Sequence, residues 1–238
     1  MLSKSFFKKI DNWSTIAQSV LYPPTCFICE QQGHNGLDLC LQCFKELNPA
    51  RYSCLICDIK LPAESSLCGR CLKNPPSFDQ VITLYRYKGL AQHLIQSLKF
   101  QSKHSCARTL GQLMAHHFKS LNKNPDALIA VPLHPKRLRE RGFNQCDLIA
   151  QHIHHELGIP LIHNQLKRII NTQSQVSLTA KERQKNLKNA FRYLPTHDIK
   201  TIALIDDVVT TGSTANEIAK TLKKQGVQRV EIWAFARA

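Results

Sequence analysis

Four Cys-x-x-Cys pairs set the terms for the first third of this 238-residue chain: Cys26/Cys29, Cys40/Cys43, Cys54/Cys57 and Cys68/Cys71. Each half has the spacing C-x2-C-x10-C-x2-C, and adding 28 to any cysteine of the first half lands on its counterpart in the second. A fixed period of this kind says that one small module occurs twice in tandem. A Cys-x-x-Cys turn aims two thiolates at one point, and two turns complete the tetrahedral sulfur shell that Zn2+ prefers. Asp11, Asn12 and Gln18 break up any apolar stretch near the start, so no secretory signal is read there and a reducing compartment is expected, where disulfides do not persist. The eight cysteines are therefore expected to hold structural zinc, in all two ions. Sequential sharing gives one ion per half and interleaved sharing a cross-brace; the self-contained repeat favours the sequential form. Cys106 and Cys146 stand outside the pattern and read as small buried residues in helices.

Residues 1–22 read as an amphipathic helix, with Phe6, Ile10, Trp13, Ala17 and Val20 at steps of four and three. Packing over the small cysteine module is favoured for it over docking on a membrane or partner. No run approaches the roughly 18 apolar residues of a membrane-spanning helix. Charge is one-sided: 32 Lys and Arg against 17 Asp and Glu leave a net +15, which biases the chain toward polyanionic partners.

A second motif carries chemistry. Ile202, Ala203, Leu204 and Ile205 form a buried strand, followed by Asp206 and Asp207, Val208 and Val209, then Thr210, Thr211, Gly212, Ser213 and Thr214 leading into a helix over residues 213–225. The free N–H groups and positive end of that helix suit a phosphate, and Gly212 lets the backbone come close. The adjacent carboxylates suit vicinal ribose hydroxyls and any Mg2+ carried by a diphosphate. A plain strand–turn–helix with solvated acids leaves both the adjacent carboxylates and the small polar loop unexplained.

From residue 79 onward, strand and helix signals alternate as in a parallel α/β domain. Strands are expected over residues 81–87, 127–133, 200–205 and 230–235, the last closing the sheet. Helices are expected over 90–100, 105–120 and 143–157. Two segments are strongly basic, residues 135–145 and 167–192. In an extended loop Arg137, Arg139 and Arg141 would share one side and suit a phosphate chain. A solvated charged face is the competing reading. Tyr85, Tyr87 and Phe143 lie near basic residues and would either stack bases or belong to the core.

The run of thirteen residues 202–214 resembles the phosphoribosyl pyrophosphate signature of type I phosphoribosyltransferases. Together with the tandem cysteine ribbon and the run Arg-x-Arg-Glu-Arg-Gly-Phe-Asn-Gln at 137–145, it makes the chain similar to the ComF family over nearly its full length. The resemblance implies a type I phosphoribosyltransferase-like parallel sheet flanked by helices (residues 79–238), preceded by a double zinc ribbon (23–76) and the N-terminal helix (1–22). It implies Asp206 and Asp207 as the catalytic acidic pair and Thr210, Thr211, Gly212, Ser213 and Thr214 as the 5-phosphate loop. Val131, Pro132, Leu133 and His134 fall where the pyrophosphate loop belongs. Arg137, Arg139, Arg141 and Arg168 are the expected phosphate or DNA contacts, and the loop after Arg168 matches the region that closes over substrate. The family further implies handling of single-stranded DNA in natural transformation, with the DNA-uptake machinery at the cytoplasmic face of the inner membrane. The alternative is a phosphoribosyltransferase acting on an unknown base or amine.

Overall fold

The 28-residue period survives as geometry. The computed structural model describes residues 23–50, 52–62, 65–100, 104–171 and 187–238, and the side chains of Phe100 and His104 are not described; the expected helix over residues 1–22 lies outside the described residues. In the first module Cys26 N donates to Gln31 O and Glu30 N to Cys26 O; in the second Cys54 N donates to Ile59 O and Asp58 N to Cys54 O. A bridge between Thr25 and Gln32 is matched by one between Ser53 and Lys60. Short helices α1 (Leu41–Lys45) and α2 (Gly69–Lys73) follow, capped by Cys40 and Cys68, whose sulfurs accept from Cys43 N and Cys71 N. Glu30 and Asp58 both sit at positive φ, 62° and 56°, which gives each knuckle its tight turn.

The chain divides into two compact units, Met1–Glu46 and Leu47–Ala238. The boundary falls inside the segment read as the double ribbon. The second module therefore belongs to the same unit as the sheet.

That unit is built on four parallel strands in the order β1-β6-β5-β2: β1 (Gln80–Arg86), β2 (Ala127–Ala130), β5 (Thr201–Val209) and β6 (Arg229–Arg237). A small antiparallel pair, β3 (Leu166–Arg168) and β4 (Phe191–Tyr193), stands apart. β6 was expected to close the sheet, but it lies inside, between β1 and β5. Its run Ile232, Trp233, Ala234, Phe235 is buried throughout, as a strand covered on both faces requires. The connecting helices are α3 (Gly89–Phe100), α4 (His104–Ser120), α5 (Pro135–Arg141), α6 (Gln145–Leu157) and α7 (Ser213–Lys223).

Alternation along β6 sorts the two layers. Trp233 turns to one face, where its ring stacks on Phe118 of α4 at 3.9 Å and 11°. Ile232 turns to the other and joins Ile218 and Leu222 of α7 with Ile202 and Leu204 of β5. Cys54, Cys57, Cys71 and Phe78 belong to this second cluster, so the second cysteine module completes a face of the domain core. Tyr85 is core as well, with its ring 5.1 Å from that of Phe235.

Both sheet edges are covered. Along β1, Ala50 N donates to Leu84 O, Arg86 N to Asn48 O and Val81 N to Ile56 O. Along β2, Leu128 N donates to Pro160 O and Ile162 N to Leu128 O. These bonds satisfy backbone groups that would otherwise template pairing with another chain.

Candidate functional site

The acidic pair lies within β5, which stays in register with β6 through Val209 and Arg237, two residues beyond the pair. Asp206 is half-buried and Asp207 buried. Lys99, in the last turn of α3, places its ammonium 2.5 Å from Asp207 Oδ2, while Asp207 Oδ1 accepts from Val208 N at 2.8 Å. Asp206 Oδ1 accepts from Asp207 N at 2.9 Å and from the Cys146 thiol at 3.5 Å. Burial, together with the charge of Asp207, pushes the Asp206 carboxyl up to about 7 against the pull of Lys99. Lys99 is raised by the two carboxylates despite its burial. The Cys146 thiol is driven well above its ordinary value by burial and the two acids, which keeps it neutral. The result is two carboxylates and one fixed positive charge held together within β5, chemistry that suits accepting hydrogen bonds from vicinal hydroxyls.

Past β5 the chain turns sharply into α7. Gly212 is the N-cap at φ 76°, a conformation strained for any side chain; it has no side chain to cap with, and Thr211 Oγ1 accepts from Ser213 N at 3.3 Å. Thr211 Oγ1 and Ser213 Oγ are 2.9 Å apart. Arg237 fixes the base of the loop: its guanidinium donates to Val209 O at 2.9 Å, to Ala238 O at 2.6 Å, to Cys57 O at 3.0 Å, and to Thr210 O. One side chain at the end of β6 thus ties the loop to the second cysteine knuckle.

The segment Val131, Pro132, Leu133 and His134 follows β2 and lies beside β5, with Val131 N donating to Ile205 O at 2.9 Å. Asn144 holds it from the far side, donating to Val131 O at 3.0 Å. The expectation of an extended basic loop after it is corrected. His134 caps and Pro135 opens α5, and Gly142 ends it at φ 82°. On a helix, residues two apart are about 200° apart around the axis, so Arg139 does not share a face with Arg137 and Arg141. Arg137 pairs with Glu140 at 3.5 Å, and Arg141 donates to Gln145 Oε1 at 2.6 Å. Arg168 in β3 lies 5.8 Å over the Phe191 ring, its guanidinium held below the ordinary value by burial and by the charge of Arg137. A cavity of 710 Å³ beside the 131–134 segment is lined by His134, Phe143, Asn144, Asp147, His163 and Arg168, among others.

The structure therefore brings Asp206, Asp207, the 210–214 loop and the 131–134 segment to the C-terminal ends of β5 and β2. Four neighbours were not singled out as site residues from the sequence: Lys99, Asn144, Arg237, and Arg70, which donates to Thr211 O at 3.0 Å. Of these only Asn144 stood in a quoted motif, the run at 137–145, and the helix expected over 143–157 placed it inside the helix whose N-cap it forms.

The cysteines share their ligands sequentially: Cys26, Cys29, Cys40 and Cys43 form one cluster and Cys54, Cys57, Cys68 and Cys71 the other. Four sulfurs at about 2.3 Å from a tetrahedral zinc lie about 3.8 Å from one another. The pairs Cys29–Cys40, Cys29–Cys43 and Cys57–Cys68 are 3.5, 3.8 and 3.6 Å apart. Within each cluster the thiols are driven apart: at Cys26 and Cys54 burial is outweighed by backbone N–H groups, which lower them to about 7 and about 6, whereas burial and the neighbouring sulfurs raise Cys43 and Cys71, as expected of thiols crowded together without a cation. Both clusters fit structural zinc.

Comparison with known proteins agrees. The double zinc ribbon domain family matches residues 17–72. Competence protein F of Haemophilus influenzae is 38% identical over 224 residues, which span 90% of this chain and 96% of that protein. The DNA utilization protein YhgH of Salmonella typhimurium is 33% identical over 90% of this chain and 97% of its own length. Competence protein ComFC of Streptococcus pneumoniae is 23% identical over 154 residues, 65% of this chain and 66% of that protein. With a parallel α/β sheet, two four-cysteine clusters and relatives aligned almost end to end, the chain belongs to the ComF family.

Proposed function

We propose that this protein handles single-stranded DNA during competence and that residues 206–214 bind a phosphoribosyl ligand. The observation that carries the ligand reading is the convergence of two carboxylates, a helix N-terminus opened by Gly212 with a threonine- and serine-rich loop, and the 131–134 segment at adjacent strand ends. On this reading Asp206 and Asp207 accept the ribose hydroxyls, residues 210–214 hold the 5-phosphate, and residues 131–134 face the diphosphate. The DNA reading rests on the net charge of +15, on exposed Lys136, Arg137 and Arg139 along α5, and on relatives named for competence and DNA utilization. No helix among the described residues is long and apolar enough to cross a membrane; work at the cytoplasmic face of the inner membrane, beside the uptake machinery, would be peripheral.

The test is binding of a labelled single-stranded oligonucleotide beside its duplex, over a salt series, with and without phosphoribosyl pyrophosphate. Tight, salt-steep binding that favours the single strand supports the proposal. Weak, equal binding to both forms overturns its DNA half.

The 710 Å³ cavity supports a second reading, transfer to a base or amine, because its volume and its mix of apolar walls and polar groups suit a small acceptor. In that reaction a bond forms from the acceptor nitrogen to C1′ as the C1′–oxygen bond breaks. The electron pair leaves with pyrophosphate, and the nitrogen loses its proton to solvent. Mg2+ arriving on the diphosphate would neutralise the leaving group, with Asp206 and Asp207 as the carboxylates placed to meet it. Lys99 already supplies one positive charge at Asp207. Sustained pyrophosphate release with a panel of nucleobases would favour this reading.

A further inference from the structure

The 210–214 loop faces a second side of the molecule. A cavity of 440 Å³ lies between it and the segment that leaves the second cysteine cluster, lined by Arg70, Asn74 and Phe78 from one side and Thr211, Ser213 and Asn216 from the other. Among the described residues no carboxylate lines it. Arg70 reaches across 141 residues of sequence to donate from Nη1 to Thr211 O at 3.0 Å. Its Nη2 lies 4.0 Å from where a Cβ on Gly212 would stand, and the Phe78 ring lies 3.6 Å from that point. Ser77 N donates to Asn216 Oδ1 at 2.6 Å, so the amide nitrogen of Asn216 is the end that can donate into the cavity.

What holds Arg70 there is the metal site. It sits in α2 between Cys68 and Cys71. Cys68 N donates to Cys54 Sγ at 3.3 Å and Cys71 N to Cys68 Sγ at 3.4 Å, so the backbone on both sides of Arg70 is fixed by sulfurs of the cluster. A guanidinium with a fixed backbone is a ready fork for phosphate oxygens. The same position of the first module, 28 residues earlier, is Gln42, which carries no charge.

We propose that Arg70 is a ligand of the 5-phosphate, delivered by the second zinc module, so that anion binding at residues 210–214 and zinc binding at Cys54, Cys57, Cys68 and Cys71 reinforce each other. The proposal rests on reading residues 206–214 as a phosphoribosyl site. It adds a residue outside the 202–214 run, and it gives the second zinc a part in ligand binding besides holding the fold.

Calorimetric titration of the full chain with ribose 5-phosphate tests the first part. Arg70→Ala should weaken binding by about tenfold or more, and Arg70→Lys should restore part of the loss, because a point charge replaces the fork. Zinc content and melting temperature should not change, since Arg70 is exposed. Unaltered affinity in Arg70→Ala overturns the proposal and leaves the phosphoribosyl reading standing. No binding of ribose 5-phosphate by the unaltered protein overturns the phosphoribosyl reading itself. Zinc release to a chromogenic chelator tests the second part, since coupling between two sites is reciprocal. Saturating ribose 5-phosphate should slow the loss of one of the two zinc ions. In Arg70→Ala at saturation that protection should disappear. Equal release with and without ligand would sink the coupling.

Discussion

The two cysteine modules are copies in their internal geometry and opposites in what surrounds them. Knuckle turns, the residue at positive φ, the bridge and the capped short helix repeat at 28 residues. Yet the second module alone is part of the unit that holds the sheet. Three residues mark the difference. Asp58 is buried and accepts from Thr83 N at 3.0 Å and from the Thr83 hydroxyl, whereas its counterpart Glu30 is exposed. Cys57 offers its carbonyl to Arg237, the residue that also holds Thr210. Arg70 reaches Thr211 where the first module has Gln42. A duplicated metal module can thus keep its ligand geometry while one copy is drawn into a neighbouring core, because the ligands fix the knuckle and leave its outward side chains free to specialise.

Breaking one cluster at a time should give the largest contrast. Cys57→Ser or Cys71→Ser removes a ligand whose neighbours belong to the domain core, so the α/β unit should lose about 4 kcal/mol or more, or its cooperative melt altogether. Cys29→Ser or Cys43→Ser should halve the zinc content while leaving the melt of residues 47–238 in place. Metal analysis with circular dichroism checks both. Equal destabilisation by the two pairs would mean that the modules are equivalent after all.

A finer contrast lies at the knuckle turns. Asp58→Ala leaves the Thr83 donors buried without their acceptor and should cost about 2–3 kcal/mol by chemical denaturation. Glu30→Ala, at the matching exposed position, should change stability by no more than about 0.5 kcal/mol. A similar cost at both positions would show that the turn itself, and not the docking of Asp58, sets the energy.

The sequence could show the repeat because metal ligation is local: thiolates three apart and a fixed 28-residue offset need no knowledge of the rest of the chain. The loop Thr210, Thr211, Gly212, Ser213 and Thr214 was legible for the same reason. Contacts that cross the chain were not. Lys99 meets Asp207 and Arg70 meets Thr211 across more than a hundred residues, and a lone lysine or arginine on a helix has the pattern of a solvated charge. The α5 error is different, because its signals were present. His134, Pro135 and Gly142 are a cap, a first-turn proline and a left-handed stop, and these outweigh the period-two spacing of the arginines. β5 runs further than its apolar residues suggested because register with β6 continues past the acids to Val209. The interior place of β6 follows from parallel crossovers, which do not respect chain order.

A pH series separates the modules at a single side chain. Asp206 has its carboxyl raised from 3.8 to about 7, so the folded protein holds that proton more tightly than the unfolded chain does. A raised carboxyl makes folding progressively less favourable as pH climbs from about 4 to about 7, with the full penalty present above the folded value. Asp206→Asn removes the titration. Relative to the unaltered protein it should therefore raise the melting temperature of residues 47–238 more at pH 8 than at pH 5. Since the second zinc cluster shares that unit, its release to chelator should slow in step at pH 8, while release from Cys26, Cys29, Cys40 and Cys43 should not change. A gain of equal size at both pH values would show that Asp206 is ionised across the whole range, with Lys99 outweighing burial and the charge of Asp207. A slowing at both clusters would erase the distinction between the modules.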